Sequence, residues 1–194
     1  MVDWNNDDRK DLLVGDASGQ VMLYLNNGSE DVPAFAAGVA VQADLITLNV
    51  GSNAAPAVVD LNNDGLKDLV VGNGSGEVKL FVNNGSDEAP QLSASTTLMT
   101  ASGAAVPMSV DWNEDGQIEL LVTAAGQATV YERQADGSYA AIATVSDDIT
   151  MTGAFPLDLD GGKGKELVVG DSLGQVQLMT GTAEVYVPSF KDLL

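Results

Sequence analysis

Short apolar runs recur along this chain, each opened by a cluster of oxygen-bearing residues and each closed by glycine. Leu12-Leu13-Val14-Gly15 and Leu69-Val70-Val71-Gly72 are two of them. Apolar stretches of that length bounded by turn residues predict strands. A second run follows each after a glycine-marked turn. In Val78 to Val82, Val78, Leu80 and Val82 point one way and Phe81 the other; Val21, Leu23 and Leu25 oppose Met22 and Tyr24 in the same manner. Both faces are largely apolar, so both are expected to be covered, since a one-sided sheet alternates more cleanly. No window of 11 or more residues carries an i, i+3, i+4 stripe, so helices are not expected. The predicted unit is strand, acidic loop, strand, tight turn, strand, then a longer outer segment. Gly15 to Gly19, Gly72 to Gly76 and Gly170 to Gly174 mark the hairpins.

The acidic loop begins at Asp3, Asp60, Asp111 and Asp158, which divides the chain into repeats at 1–43, 44–94, 95–144 and 145–194. Repeats one and two align without a gap from the loop through Gly28 and Gly85 to Pro33 and Pro90, and the fourth keeps the frame with Gly170, Gly174 and Pro188. The third is looser, with Thr123 in place of the glycine and one residue fewer near Gly126. Small antiparallel sheets repeating at about 50 residues and stacked face to face are the blades of a β-propeller. A linear β-roll repeats at about nine. The expectation is an all-β fold, a β-propeller of about four blades forming a single domain over 1–194 or a fragment of a larger ring. Repeat two has a strand-forming lead-in from Asp44 to Val59, whereas Met1 and Val2 alone precede the first loop. Either the segment 185–194 completes the first blade, or the chain is a piece of a ring, or copies join as a homo-oligomer; open strand edges favour the last two.

Composition then narrows the chemistry. Of 194 residues, 28 are acidic and 8 basic, a net charge of −20 that disfavours nucleic acid and anionic membrane surfaces as partners. No apolar run reaches the ~18 residues of a membrane helix, so no membrane insertion is expected, and Met1 leads into acidic loop rather than a secretory leader. There is no Cys and no His, which excludes disulfides, thiolate sites, the usual zinc ligand and the usual general base. The 45% hydrophobic content, set in short β runs, argues against disorder.

The best-formed loop, Asp60-Leu61-Asn62-Asn63-Asp64-Gly65-Leu66-Lys67-Asp68, puts oxygen side chains at positions 1, 3, 5 and 9 and glycine at 6. Position 7 would add a backbone carbonyl. A hard cation such as Ca²⁺ takes 6–8 oxygens at about 2.3–2.6 Å. An EF-hand is excluded, because its position-12 Glu is replaced by Val71 and a strand follows. Asn-Asp-Gly is also a serviceable turn without metal. Recurrence favours metal, since each of the four loops contributes three candidate ligand carboxylates, 12 of the 28 acids, and unneutralised carboxylates that close raise one another's pKa.

Asp-x-Asn-x-Asp-Gly-x-x-Asp-Leu, the upstream Ala55-Pro56-x-Val58-Val59 and the trailing Val-Gly-Asn-Gly-x-Gly resemble the FG-GAP/VCBS repeat, which builds integrin-α-type propellers and many bacterial surface and secreted proteins. The resemblance covers essentially the whole chain in four copies and implies Ca²⁺ between the first two strands of each blade. Transferred loop by loop, it implies Asp3, Asn5, Asp7, the Arg9 carbonyl and Asp11 in the first, with Asp8 in place of glycine. Asp tolerates the left-handed conformation at some cost. The second loop supplies Asp60, Asn62, Asp64, the Leu66 carbonyl and Asp68, and the third Asp111, Asn113, Asp115, the Gln117 carbonyl and Glu119. The fourth keeps Asp158, Asp160 and Glu166 but has Gly162 at position 5, so three calcium sites are expected and the fourth loop departs from the pattern.

Position 2 reads Trp4, Leu61, Trp112 and Leu159. These side chains are expected to pack between sheets; a sugar-stacking platform is the sharper alternative. The acid pairs are accounted for by the loops rather than by a glycosidase dyad, no Ser-His or Cys-His constellation exists, and a calcium-dependent lyase would lack an evident base. The expectation is a non-enzymatic calcium-binding propeller for extracellular or cell-surface recognition or adhesion, with a protein or glycan ligand. A lectin-type propeller and an accessory domain of a secreted enzyme are the alternatives.

Overall fold

A computed structural model describes residues 1–145, 150–158, 165–182 and 185–188, and these form two compact units, 1–107 and 108–194. The described residues are all β with no helix. In the first unit, β1 (Leu12–Gly15), β2 (Val21–Tyr24) and β3 (Val39–Ala40) make one antiparallel sheet. A small hairpin follows, β4 (Gln42–Ala43) with β5 (Ile46–Thr47). The second sheet runs in chain order, β6 (Ala55–Val59), β7 (Asp68–Gly72), β8 (Glu77–Phe81) and β9 (Thr96–Thr100). The second unit holds two four-stranded sheets of the same kind: β10 (Val106–Val110), β11 (Glu119–Ala124), β12 (Gln127–Arg133), β13 (Tyr139–Val145), then β14 (Met151–Leu157), β15 (Glu166–Asp171), β16 (Val176–Thr182), β17 (Val185–Pro188).

Strand, acidic loop, strand, turn, strand therefore stands as the repeat's plan, and the outer segment supplies a fourth strand. Pro56 and Pro107 sit on β6 and β10, the edge strands, where a missing N–H costs the ladder nothing. The second strand of the unit is the most enclosed: all five residues of β7 are buried. Glycine closes it for a steric reason. A Cβ on Gly72 would meet the Ala105 carbonyl oxygen at 2.1 Å, and one on Gly15 the Ala54 oxygen at 1.9 Å. In the looser third repeat, Ala125 and Gly126 both take positive φ (49° and 79°), so a two-residue type I′ turn replaces the four-residue hairpin.

The same packing rule operates inside each unit. In the first, Val21, with Leu13 and Leu23 beside it, meets Leu69, Val71 and Phe81 of the second sheet. In the second, Leu121, Ala128 and Val130 meet Ala154, Leu167, Val169 and Met179. One face of the leading sheet thus packs on the opposite face of the next, and each fully buried Leu contributes about 1.5–3 kcal/mol. Trp4 and Trp112 are about 95% buried in these two cores, one in each unit, which removes the sugar-stacking alternative for them; Leu61 is buried likewise, and Leu159 lies outside the described residues.

Two segments take a form the sequence did not detail. The strand-forming lead-in from Asp44 to Val59 holds two strands: Asp44 and Leu45, at φ 50° and 63°, turn β4 into β5, and β6 begins at Ala55. Within the second unit, Val185–Pro188 pairs antiparallel with β16 as the fourth strand of its own sheet, because the outer segment of the repeat is long enough to return alongside its own third strand.

Candidate metal centre

Each loop connects the first and second strands of its sheet, and three of them share one geometry. The position-1 carboxylate caps the turn. Asp3 accepts the N–H groups of Asp7 and Asp8 (3.0 and 2.9 Å), Asp60 those of Asp64 and Gly65 (3.2 and 2.9 Å), and Asp111 that of Gly116 (3.2 Å). Asn at position 3 donates its amide N–H to the position-5 Asp: Asn5 to Asp7, Asn62 to Asp64, Asn113 to Asp115, at 2.8–3.1 Å. That Asp in turn accepts the position-7 N–H, from Arg9, Leu66 and Gln117 respectively. Positions 4 and 6 are left-handed in all three loops: Asn6 and Asp8, Asn63 and Gly65, Glu114 and Gly116. Asp8, at φ 64°, does take the conformation for which the other loops use glycine.

The position-9 acid is the most enclosed group. Asp11 and Asp68 are 0% exposed and Glu119 1%. One oxygen accepts the position-2 N–H, from Trp4 (2.9 Å), Leu61 (3.2 Å) or Trp112 (2.7 Å). In the first two repeats the other accepts an N–H just beyond the third strand, from Asn26 (2.8 Å) or Asn83 (2.9 Å). The acid therefore staples the loop to the strand two steps along. Sequence reasoning missed Asn26 and Asn83, although their recurrence in the aligned Asn-Asn-Gly segments was the available signal.

Electrostatics separate the loops. In the first, burial works to raise the pKa of Asp7, but hydrogen bonds from Asn5 and Arg9 and the Arg9 charge outweigh it, so the carboxyl is held below 3.8. The Arg9 guanidinium lies 2.5 Å from Asp7 Oδ2 and also donates to the Asn26 carbonyl. In the second loop, burial pushes Asp68 above 3.8, aided by the charges of Asp64 and Asp60 and opposed by the Asn83 and Leu61 N–H groups. Lys67 turns instead to Asp87, with Nζ 3.4 Å from Oδ2. In the third, burial pushes Glu119 above 4.5, with Asp115 and Asp111 adding to the rise against hydrogen bonds from Trp112 and Asn113.

The residues fit a hard cation. Every predicted side-chain ligand offers oxygen, and each carboxylate oxygen that accepts one N–H keeps a second lone pair. Asn5 Oδ1 and Asp111 Oδ1, at ligand positions of the first and third loops, are shut off from solvent and accept no hydrogen bond. A buried acceptor without a donor costs about 1–3 kcal/mol, which a bound cation would relieve. Asp3, Asn5, Asp7 and Asp11 would hold the first ion, Asp60, Asn62, Asp64 and Asp68 the second, and Asp111, Asn113, Asp115 and Glu119 the third. Of the fourth set, Asp158 is exposed and Glu166, opening β15, is buried, while Asp160 lies outside the described residues.

The acids of positions 1, 5 and 9 are not all drawn equally close. Among the described residues, the one set of three acidic side chains with oxygens within 4.8 Å of one another is Asp115, Glu119 and Glu132. Glu132 was not foreseen. It stands on β12 where the aligned repeats carry Val82 and Leu25, so its departure from an apolar strand position was the only signal.

Against known families, the chain matches the FG-GAP-like repeat over residues 3–71 and again over 60–122. No curated protein matches it.

Proposed function

We propose, on the premise that this chain belongs to the FG-GAP-like repeat family, that it is a calcium-stabilised β-propeller module for recognition or adhesion outside the cell, and that it is not an enzyme. The observation that carries this reading is the loop geometry repeated three times with oxygen side chains at positions 1, 3, 5 and 9, two of those oxygens being buried without a donor. Bound Ca²⁺ would neutralise the clustered carboxylates and tie together the strand ends that the position-9 staple already joins. The chain's own residues supply the rest: Trp4, Leu61 and Trp112 anchor each loop in the core, and left-handed positions 4 and 6 fold it back on itself. The like-on-opposite face packing inside each unit is the contact from which a propeller is built.

An extracellular setting suits sites of modest affinity, because such modules bind calcium with dissociation constants of about 10⁻⁴–10⁻³ M. The partner is a protein or glycan surface, and a charge of −20 favours a basic one over nucleic acid. A homo-oligomer is a second use of the same chemistry, since Phe155 and Val176 leave apolar surface exposed on the fourth sheet. The lectin alternative is weakened at the cavity of about 330 Å³ beside Trp4, which is lined by Leu23, Val41, Pro90 and Leu92 with Gln42 as its one polar side chain. A sugar site needs several converging polar groups.

The test is thermal unfolding in millimolar calcium against excess chelator. At a tenfold excess over the dissociation constant, each site adds about 1.4 kcal/mol, so the melting temperature rises by several degrees. An identical melting temperature in the two conditions would sink the calcium reading, and a glycan array separates a lectin from a protein-binding module.

A further inference from the structure

The geometry points to Glu132 as a ligand of the third calcium site, donated from β12 rather than from the loop. This rests on the calcium reading above and adds to it a residue outside the loop motif. The oxygens of Asp115, Glu119 and Glu132 lie within 4.8 Å of one another. An ion centred among three oxygens no more than 4.8 Å apart lies within about 2.8 Å of each, close to the roughly 2.3–2.6 Å that Ca²⁺ takes.

Three further observations support the assignment. Asp111 Oδ1, at position 1 of the same loop, is buried and accepts no hydrogen bond. Among the described residues, no Lys or Arg forms an ion pair with Asp115, Glu119 or Glu132; the nearby Lys165 pairs with Glu114 at 3.2 Å. The first and second loops carry Lys10 and Lys67 at position 8, where the third has Ile118. The third site thus has no basic residue at position 8 and one more carboxylate within reach, a combination that a divalent ion compensates.

Strand geometry accounts for the placement. The register of β12 against β13 shifts between Val130 and Tyr131, and Glu132 follows at once, opposite Ala140. The extra residue, Ile142, belongs to β13, so β12 keeps its register against β11, and Glu132 stands one position past the Leu120–Tyr131 pair, beside Glu119. Glu132 otherwise has a long contact, 3.4 Å, from the Gln134 amide to its Oε2.

Terbium luminescence resolves the third site within the full chain. Tb³⁺ replaces Ca²⁺ at oxygen sites and is sensitised by a nearby indole; Trp112 is position 2 of the third loop, Trp4 of the first, and the second has Leu61. In a Trp4→Phe background the signal therefore reports the third site, and in a Trp112→Phe background the first. Displacement of Tb³⁺ by Ca²⁺ gives the affinity of each. Glu132→Gln is expected to weaken the third site by about tenfold or more and leave the first unchanged, while Glu132→Asp recovers part of the loss. Circular dichroism of each variant confirms that the sheets remain. An unchanged third-site affinity in Glu132→Gln overturns the assignment, as does an equal loss at both sites. If the parent chain sensitises no Tb³⁺ and binds no Ca²⁺, it is the calcium reading itself that fails.

Discussion

Replacing Asp68 by Ala separates the two roles that the position-9 acid combines. The carboxylate is fully buried and accepts the Leu61 N–H at 3.2 Å and the Asn83 N–H at 2.9 Å. Ala leaves both donors buried without a partner, at about 1–3 kcal/mol each, or about 2–6 kcal/mol together. Against this, the substitution removes a carboxylate that burial penalises, as its raised pKa shows. Two orphaned donors outweigh one partly compensated charge, so a net loss of about 2–4 kcal/mol is expected in chelator, a large part of the 5–15 kcal/mol typical of a domain. Asp68→Asn keeps one acceptor and turns an amide N–H toward the other donor, for about 1–3 kcal/mol. In calcium both variants lose more, by the stabilisation the second site no longer takes up, about 1.4 kcal/mol or above. Urea unfolding followed by tryptophan fluorescence reads the effect, since Trp4 lies in the core of the same unit. An Ala variant within 0.5 kcal/mol of the parent in chelator would refute the staple, and a deficit equal in chelator and calcium would refute ligation by Asp68.

Other perturbations test the neighbouring claims. Gly72→Ala drives a methyl group toward the Ala105 oxygen at 2.1 Å and Pro107 Cδ at 2.7 Å; a loss of about 1–3 kcal/mol is expected by urea unfolding, and a neutral result would mean that this close approach does not constrain the fold. Arg9→Gln frees Asp7 from the guanidinium 2.5 Å away, so the first site should bind calcium several-fold more tightly in a terbium-displacement titration, whereas weaker binding would show that the arginine supports the site. For Glu119, the folded pKa lies above 4.5, so the metal-free folded state holds this proton more tightly than the unfolded chain does, and the stability it contributes is lost as pH rises through the folded value. Metal-stripped Glu119→Gln should therefore gain on the parent as pH climbs from about 4.5 toward neutrality, and fall behind it once calcium is added; melting curves across that range check both signs, and the reverse order would contradict them.

Much of this architecture was legible in the chain because its signals are local and repeated. The acid–Asn–acid loops, the glycine-marked hairpins and the apolar runs each encode a backbone conformation within a few residues, and repetition in register distinguishes them from chance. What escaped the sequence depends on groups far apart in the chain or on chemistry without a signature. Asp44-Leu45 forms a tight turn with neither glycine nor asparagine, so nothing in the strand-forming lead-in marked where it bends. The staple from Asp11 to Asn26 and from Asp68 to Asn83 spans 15 residues and uses backbone N–H groups that every residue carries. Glu132 reaches the third loop only because β12 runs back beside β11, and one glutamate on a strand announces nothing by itself. Left-handed Asn6, Asn63 and Glu114 at position 4 were hidden because the motif marks only position 6 with glycine.

Isothermal titration of the metal-stripped chain with calcium tests the central claim most directly. The account predicts uptake of at least three ions per chain, in the loops that begin at Asp3, Asp60 and Asp111, with dissociation constants at or below the millimolar range. Absence of any binding heat at millimolar calcium, together with an unchanged melting temperature, would contradict it.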